Sequence, residues 1–152
     1  MLIARRLGRA ASAMVLLGGL AMPAAAQGQE SPSPVRLDPD KMAGLDLTGI
    51  PPDAFQDILV AGELNMRVAT LFDGTELTVS IFESSPAKTD HRTRPTDVDE
   101  FVYVLSGKLI LTEPDGTAHE YLPGDSLVLP IGYTGTWEMQ GNYRELVVLK
   151  KR

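Results

Sequence analysis

The sequence predicts an all-β fold, in which one antiparallel sheet closes on itself or packs as a sandwich. From about Ile58 onwards, short runs of β-branched and aromatic residues alternate with turn signals at the spacing typical of barrels and sandwiches. No stretch carries apolar residues at a sustained period of 3.6, so no long amphipathic helix is expected. A length of 152 residues favours a single domain.

A secretory signal peptide is predicted over residues 1–26. A start with three arginines and no acid is followed by the apolar run 13–22 and then by Ala24, Ala25 and Ala26. This order is typical of a leader that is cut after its small residues, here between Ala26 and Gln27. We expect export to the periplasm or the outside, and no membrane contact after cleavage. An uncleaved anchor is the alternative, although the apolar run is shorter than the roughly 20 residues that span a bilayer.

A flexible N-terminal arm is predicted over residues 27–52. Its first part is polar and rich in proline, and its second part alternates single apolar residues with Asp, Gly and Pro. The folded domain is predicted over residues 53–152. Its first segment, residues 53–59, is compatible with a short helical turn or with an entry strand, and the residues alone do not decide between them.

Each predicted strand of the folded domain ends at a turn signal. The clearest signal is Pro114-Asp115-Gly116, which favours a hairpin turn. The predicted strands cover residues 67–72, 77–82, 101–105, 109–112, 118–122, 127–129, 136–139 and 145–149.

Composition excludes several classes of function. The chain has 14 basic and 20 acidic residues, a net charge of -6, and loss of the three leader arginines would make it -9. Such a charge repels phosphate backbones, so no nucleic-acid partner is expected. The count of 0 Cys excludes disulfides, thiolate metal sites and a cysteine nucleophile. With only 2 His, one chain cannot build a metal site from several histidines.

Two motifs are separated by the predicted hairpin. In the first, Glu100 is followed by six residues and then Gly107. In the second, Gly124 is followed by five residues and then Pro130-Ile131-Gly132. Together they resemble the two conserved motifs of the cupin superfamily over residues 59–149, and the continuation 132–138 is similar to the ureidoglycine aminohydrolase branch. The resemblance implies a single-domain cupin jelly-roll β-barrel, also called a double-stranded β-helix.

The resemblance also implies a metal site made of His-x-His, a Glu and a later His. Glu100 matches the Glu, but the other positions hold residues without imidazole: Arg94 and Thr96, or Thr93 and Pro95 with a longer gap, and then Gly135. A strong site needs several imidazole or carboxylate donors, and an arginine cannot coordinate. We therefore predict no cofactor and no tight metal site. A weak divalent-metal site of Glu100, His91 and water is the alternative.

The interior of the predicted barrel supplies the candidate ligand-binding residues. Strand alternation places Glu100, Val102 and Val104 on one face, which the resemblance assigns to the interior. A buried carboxylate without a partner is costly, so we expect Arg94 to pair with Glu100.

Three further side chains are candidates for the same site. Trp137 and Tyr133 could stack on a planar or sugar-like ligand, with a packing role for Trp137 as the alternative. His91 is a further candidate, with a solvated or hydrogen-bonded histidine as the alternative, and His119 is expected to be exposed.

These residues favour a secreted or periplasmic cupin that binds a small polar molecule without strong metal chemistry. One alternative is a metal-assisted enzyme of aminohydrolase or isomerase type, for which no catalytic residue is assigned. Another is a dimeric structural module. The outward set Phe101, Tyr103 and Leu105 is unusually apolar, so we expect a cover over it, for which a homodimer is one candidate.

Overall fold

The computed structural model describes residues 32–152. The predicted signal peptide, its cleavage site between Ala26 and Gln27, and the first residues of the arm lie outside the described residues. Residues 34–152 form one compact unit, so residues 34–52 of the predicted arm lie in the same unit as the barrel. Among the described residues, no helix is long and apolar enough to cross a membrane.

The described chain is nearly all β, which confirms the predicted jelly-roll class. A four-residue helix, α1 (Pro39–Met42), and a 3-10 helix (Pro52–Phe55) stand before most of the strands. The strands are β1 (Thr48–Gly49), β2 (Leu59–Gly62), β3 (Met66–Asp73), β4 (Leu77–Ser84), β5 (Ala87–Asp90), β6 (Glu100–Thr112), β7 (Ala118–Tyr121), β8 (Ser126–Leu129) and β9 (Thr136–Lys150).

All strand pairs are antiparallel, and they form one curled sheet. The order β1-β3-β4-β9-β5-β2 runs along one path, while β6 pairs with β7, β8 and β9. The long strand β9 therefore bonds β4 and β5 as well as β6. This arrangement brings the inner faces of β4, β6 and β9 around one interior space.

Strands β6 and β9 are each continuous where the sequence predicted two strands. Gly107 and Gly141, which we took for turn residues, have positive φ values of 72° and 70°. A Cβ at Gly107 would lie 2.7 Å from the carbonyl oxygen of Gln140, so only glycine fits there. The register of β6 against β9 shifts beside Gly107, which is the geometry of a bulge. The glycines bend the strands without ending them.

The segment before the barrel contains more regular structure than we predicted. The side chain of Asp38 caps α1 by accepting a hydrogen bond from the Asp40 amide at 2.9 Å. Thr48 pairs with Val68, which adds β1 to the edge of the sheet. The undecided segment 53–59 contains both candidates, because the 3-10 helix ends at Phe55 and β2 begins at Leu59 after three turn residues.

The alternation predicted along β6 is confirmed by burial. Val102 and Val104 are 0% exposed, whereas Phe101 and Tyr103 are each 39% exposed. Val128 on β8 pairs with Phe101 and is also exposed. The inner residues join the apolar core, whereas the outer apolar side chains Phe101, Tyr103 and Val128 remain partly exposed.

Candidate functional site

The interior of the barrel holds a cavity of about 450 Å³. This volume falls within the range of roughly 300–1,000 Å³ that is usual for small-molecule sites. Its apolar wall consists of Phe55, Ile58, Leu64, Met66, Phe82, Trp137, Met139 and Leu149. Its polar groups include Ser84, Thr89, His91, Glu100, Tyr143 and Glu145.

Trp137 and His91 form one side of the cavity. Their rings stack with 4.8 Å between centroids and 29° between planes. The Nε2 atom of His91 is hydrogen-bonded to Thr89 Oγ1 at 3.0 Å, and its amide donates to the carbonyl of Gly135 at 2.8 Å. Burial lowers the pKa of His91, so the imidazole is neutral at pH 7. These contacts hold the His91 ring in place against one face of the Trp137 ring.

Two carboxyl groups enter the cavity from neighbouring strands. Burial, together with the charge of Asp97, raises the pKa of Glu100 on β6 to about 7. Burial also raises the pKa of Glu145 on β9 to about 8; the hydrogen bond from Tyr143 opposes this rise and the charge of Glu100 adds to it. The hydroxyl of Tyr143 donates to Glu145 Oε2. No arginine or lysine lowers either pKa, so the cavity contains two carboxyls without a counter-charge.

Arg94 does not form the pair with Glu100 that the sequence led us to expect. Its Nη1 atom donates to the Ala54 carbonyl at 3.0 Å and to Asp57 Oδ1 at 3.3 Å. Its guanidinium carbon lies 5.3 Å from the ring centroid of Phe55. Beside the exposed Asp57 the Arg94 guanidinium stays half-exposed and keeps much of its hydration, which full burial beside Glu100 would remove. Arg94 lines the cavity, but as part of a neutral pair.

Tyr133 lies outside the cavity lining and does not join Trp137 there. A Cβ at Gly135 would lie 2.9 Å from the Tyr133 hydroxyl, so this ring occupies the space that Gly135 leaves. The Tyr133 amide donates to Thr96 Oγ1 at 2.9 Å, which fixes the turn. Burial raises the pKa of Tyr133 to about 12.

The residues at the expected metal-ligand positions do not fit a metal. Arg94 is bonded to Asp57, and Thr96 donates its hydroxyl to the Pro130 carbonyl at 2.8 Å. Gly135 has no side chain to offer. Within residues 32–152, no three or more His, Cys, Asp or Glu side chains are grouped so that they could hold a metal ion. The chemistry of the cavity therefore rests on its carboxyl, hydroxyl and indole groups.

A third buried acid, Glu83 on β4, has a contrasting environment. Arg144 donates to its Oε2 atom from Nε at 2.9 Å and from Nη2 at 2.6 Å. Arg67 donates to its Oε1 atom. Burial tends to raise the pKa of Glu83, but the two arginines outweigh it and the pKa is lowered. A Cβ at Gly44 would overlap the Arg144 guanidinium, so the arm packs directly on this cluster.

Sequence reasoning missed Glu145 and Tyr143. Both lie on the cavity face of β9, which they share with Val147 and Leu149 at every second position. An acid within an apolar alternation signals a buried carboxyl. The predicted strand 145–149 begins at Glu145, so the pattern leaves out Tyr143 and shows too little of the alternation to mark the acid as inward.

Comparisons with known proteins agree with this architecture. The profile of the EutQ-like cupin domain matches residues 73–146. The EutQ protein of Clostridium difficile is 16% identical, with a TM-score of 0.53 over 76% of this chain and 80% of that chain. A Pseudomonas syringae protein of the DUF861 family is 21% identical, with a TM-score of 0.59 over 68% of this chain and 43% of that chain.

A further similar structure is an enzyme. The polyketide cyclase RemF from Streptomyces resistomycificus is 26% identical, with a TM-score of 0.50 over 69% of this chain and 74% of that chain. No curated protein matches the sequence. Because the Clostridium difficile and Pseudomonas syringae proteins are less than 25% identical to this chain, their similarity supports the fold alone.

Proposed function

Because the chain is a cupin-fold protein related to the EutQ-like cupins, we propose that it binds a small polar molecule in the barrel cavity without a strongly held metal ion. One observation carries this proposal. The indole Nε1 of Trp137 and the hydroxyl of Ser84 are buried in the cavity wall and have no hydrogen-bond partner among the described residues. Buried polar groups are normally paired, so a bound ligand is the natural partner for both.

The shape of the cavity indicates what kind of molecule would fit. Its wall is mostly apolar, and its few polar groups converge from β4, β6 and β9. A ligand with a flat or apolar body and one or two polar ends would fill this space. One fold hosts many chemistries, so the likeness of residues 132–138 to the ureidoglycine aminohydrolase branch gives no substrate by itself. Export to the periplasm or the outside belongs to this proposal and rests on the first 26 residues.

A screen of small molecules would test the proposal. The chain has 1 Trp, which lines the cavity, so its fluorescence reports directly on occupancy. We expect at least one polar compound to change this fluorescence and to raise the melting temperature. The variant Trp137→Leu should lose the thermal shift, whereas the control Phe101→Leu on the outer face should keep it. A folded protein that responds to no compound in the panel would contradict the proposal.

A second candidate function is proton transfer catalysed by the two cavity carboxyls. Glu100 and Glu145 have pKa values of about 7 and about 8, so each can donate or accept a proton near neutral pH. Such a catalyst would be an isomerase- or aminohydrolase-like enzyme. Once a ligand is known, Glu100→Gln separates the candidates, because a catalyst loses turnover and keeps binding.

Elemental analysis of the purified mature chain would decide the metal question. We expect no stoichiometric metal, because the cavity lacks the donors for it. Near-stoichiometric zinc, manganese, iron or nickel would favour the metal-assisted alternative, with a site shared between subunits or built on His91 and Glu100.

A further inference from the structure

We infer that the ligand of the cavity is a small organic cation, an amine, held between Glu100 and Glu145 against the aromatic wall that includes Trp137. This inference rests on the proposed function and names its ligand class. The charged groups on the strands and loops that line the cavity support it.

Most charged groups in the lining are already neutralised. Glu83 on β4 bonds to two arginines on the outer side of the sheet. Arg94, from the loop after β5, bonds to Asp57. Asp97, from the same loop, bonds to Arg152 at 3.0 Å. Each of these groups therefore brings its own counter-ion.

The two remaining acids have no counter-ion. Within residues 32–152, neither Glu100 nor Glu145 takes part in an ion pair, and the neutral ring of His91 supplies no charge. The groups that face Glu145 are Glu100 on β6 and the Tyr143 hydroxyl on its own strand. Among the described residues, the cavity thus offers two acids that become negative acceptors when they ionise, and no free cation.

Such a cavity discriminates between ligands by charge. An ammonium group would donate charge-assisted hydrogen bonds to the carboxylates of the cavity. Such bonds are about twice as strong as neutral ones. The aromatic rings of Phe55, Phe82 and Trp137 add the cation–π attraction that desolvated sites provide. A carboxylate ligand would meet two acids and an arginine that is already bonded. A neutral alcohol would gain only ordinary hydrogen bonds.

Entry of a cation would also displace protons. In the empty cavity the carboxyls hold protons near neutral pH, because burial disfavours their charged forms. A bound ammonium stabilises the carboxylates, so protons leave as the ligand enters. Affinity should therefore rise with pH across the range in which Glu100 and Glu145 titrate.

Isothermal titration calorimetry with three probes of similar shape would test the inference on the mature protein. The probes are benzylammonium, benzyl alcohol and phenylacetate. We expect benzylammonium to bind about tenfold or more tightly than benzyl alcohol, and phenylacetate to bind most weakly. Titrations in buffers of different ionisation enthalpy should show about one proton released per benzylammonium at pH 7.

Matched variants assign the effect to the cavity carboxyls. Glu145→Gln keeps the shape of the side chain and should remove both the preference for benzylammonium and part of the proton release. Glu100→Gln gives the same readout if the first variant folds poorly. The control Glu120→Gln removes an exposed acid on β7 and should change neither quantity.

The outcomes separate this inference from the proposed function. The cation assignment would be overturned if benzyl alcohol bound as tightly as benzylammonium, or if phenylacetate bound more tightly. Binding of benzylammonium without proton release would also overturn it. Each of these results would leave the proposal of small-molecule binding intact. If none of the three probes bound to the folded protein, both would fail.

Discussion

Glu83 on β4 and Glu145 on β9 are both buried, at 5% and 6% exposure, yet their surroundings are opposite. In the β4–β9 ladder, Glu83 pairs with Arg144 and the next pair along is Phe82 with Glu145. Adjacent pairs in a ladder point to opposite faces of the sheet. The outer acid is therefore held by two arginines, while the inner acid faces the cavity with a tyrosine.

The comparison shows that burial alone does not decide what a carboxyl does. Two guanidinium groups overcome the burial cost at Glu83, and the cluster joins the arm to the barrel. At Glu145 the cost is only partly offset by Tyr143, so the group keeps a proton near neutral pH. An acid satisfied by the protein contributes to stability, and an acid that the protein leaves unsatisfied can serve a ligand.

The largest effect is expected on the outer side. Arg144→Met should lower the free energy of unfolding by roughly 3 kcal/mol, because buried Glu83 would be left with the more exposed Arg67 alone. Urea denaturation measures the change. Lys108→Met, which breaks the exposed pair with Glu120, is the control and should cost less than about 1 kcal/mol. Equal losses in the two variants would contradict the contrast between buried and exposed pairs.

Stability should depend on pH in opposite directions for the outer acid, whose pKa is lowered, and for the two cavity acids, whose pKa values are raised. Since the folded-state pKa values of Glu100 and Glu145 are raised to about 7 and about 8, the folded chain holds protons that the unfolded chain has already lost. Stability should then fall steadily from pH 5 to pH 9 in the ligand-free protein. Denaturation curves across this range measure the slope.

Two glutamine variants separate the contributions to this slope. Glu145→Gln should flatten it and should make the protein more stable than the parent at pH 9. The pKa of Glu83 is lowered, so its contribution is present above its ordinary value near pH 4.5 and is lost only in more acidic solution. Glu83→Gln should therefore destabilise equally at pH 6 and pH 9. A slope unchanged by Glu145→Gln would show that the inner acid ionises normally.

The smallest effect on stability is expected on the outer face of β6. We propose that this face, with Phe101, Tyr103 and Val128, forms a homodimer contact, which is one of the covers considered for the outward set Phe101, Tyr103 and Leu105. Val128→Lys should give a monomer by light scattering, with a change of about 0.5 kcal/mol or less in monomer stability, because Val128 is 65% exposed. Val60→Lys makes the same substitution at an exposed strand position elsewhere and should leave the assembly intact. A parent protein that is monomeric would overturn the dimer.

Local pattern was enough for part of this molecule. The alternation of Val102 and Val104 against Phe101 and Tyr103 separated the two faces of β6. The resemblance to the cupin superfamily then assigned the face with Glu100 to the interior. What local pattern could not give was the continuity of β6 and β9, because a glycine at a bulge carries the same signal as a glycine at a turn.

The sequence could not predict the partners of the site residues, for a different reason. Arg94 was expected to pair with Glu100 but bonds to Asp57, which lies 37 residues away in sequence. That pairing depends on where the 3-10 helix packs. Tyr133 was expected beside Trp137, yet it fills the space beside Gly135. Such choices follow from tertiary packing, which no spacing along the chain records.

The place of β9 in the sheet has a consequence for the timing of folding. This strand bonds β4, β5 and β6, and it is the last of the described strands to be synthesised. Most of the sheet therefore cannot close while the chain is still growing, and its many long-range pairings favour slow closure afterwards. The newly made polypeptide should stay open until β9 has been synthesised and has paired with its three neighbours. A chain in that state could still pass through a narrow translocation channel, which a finished barrel could not.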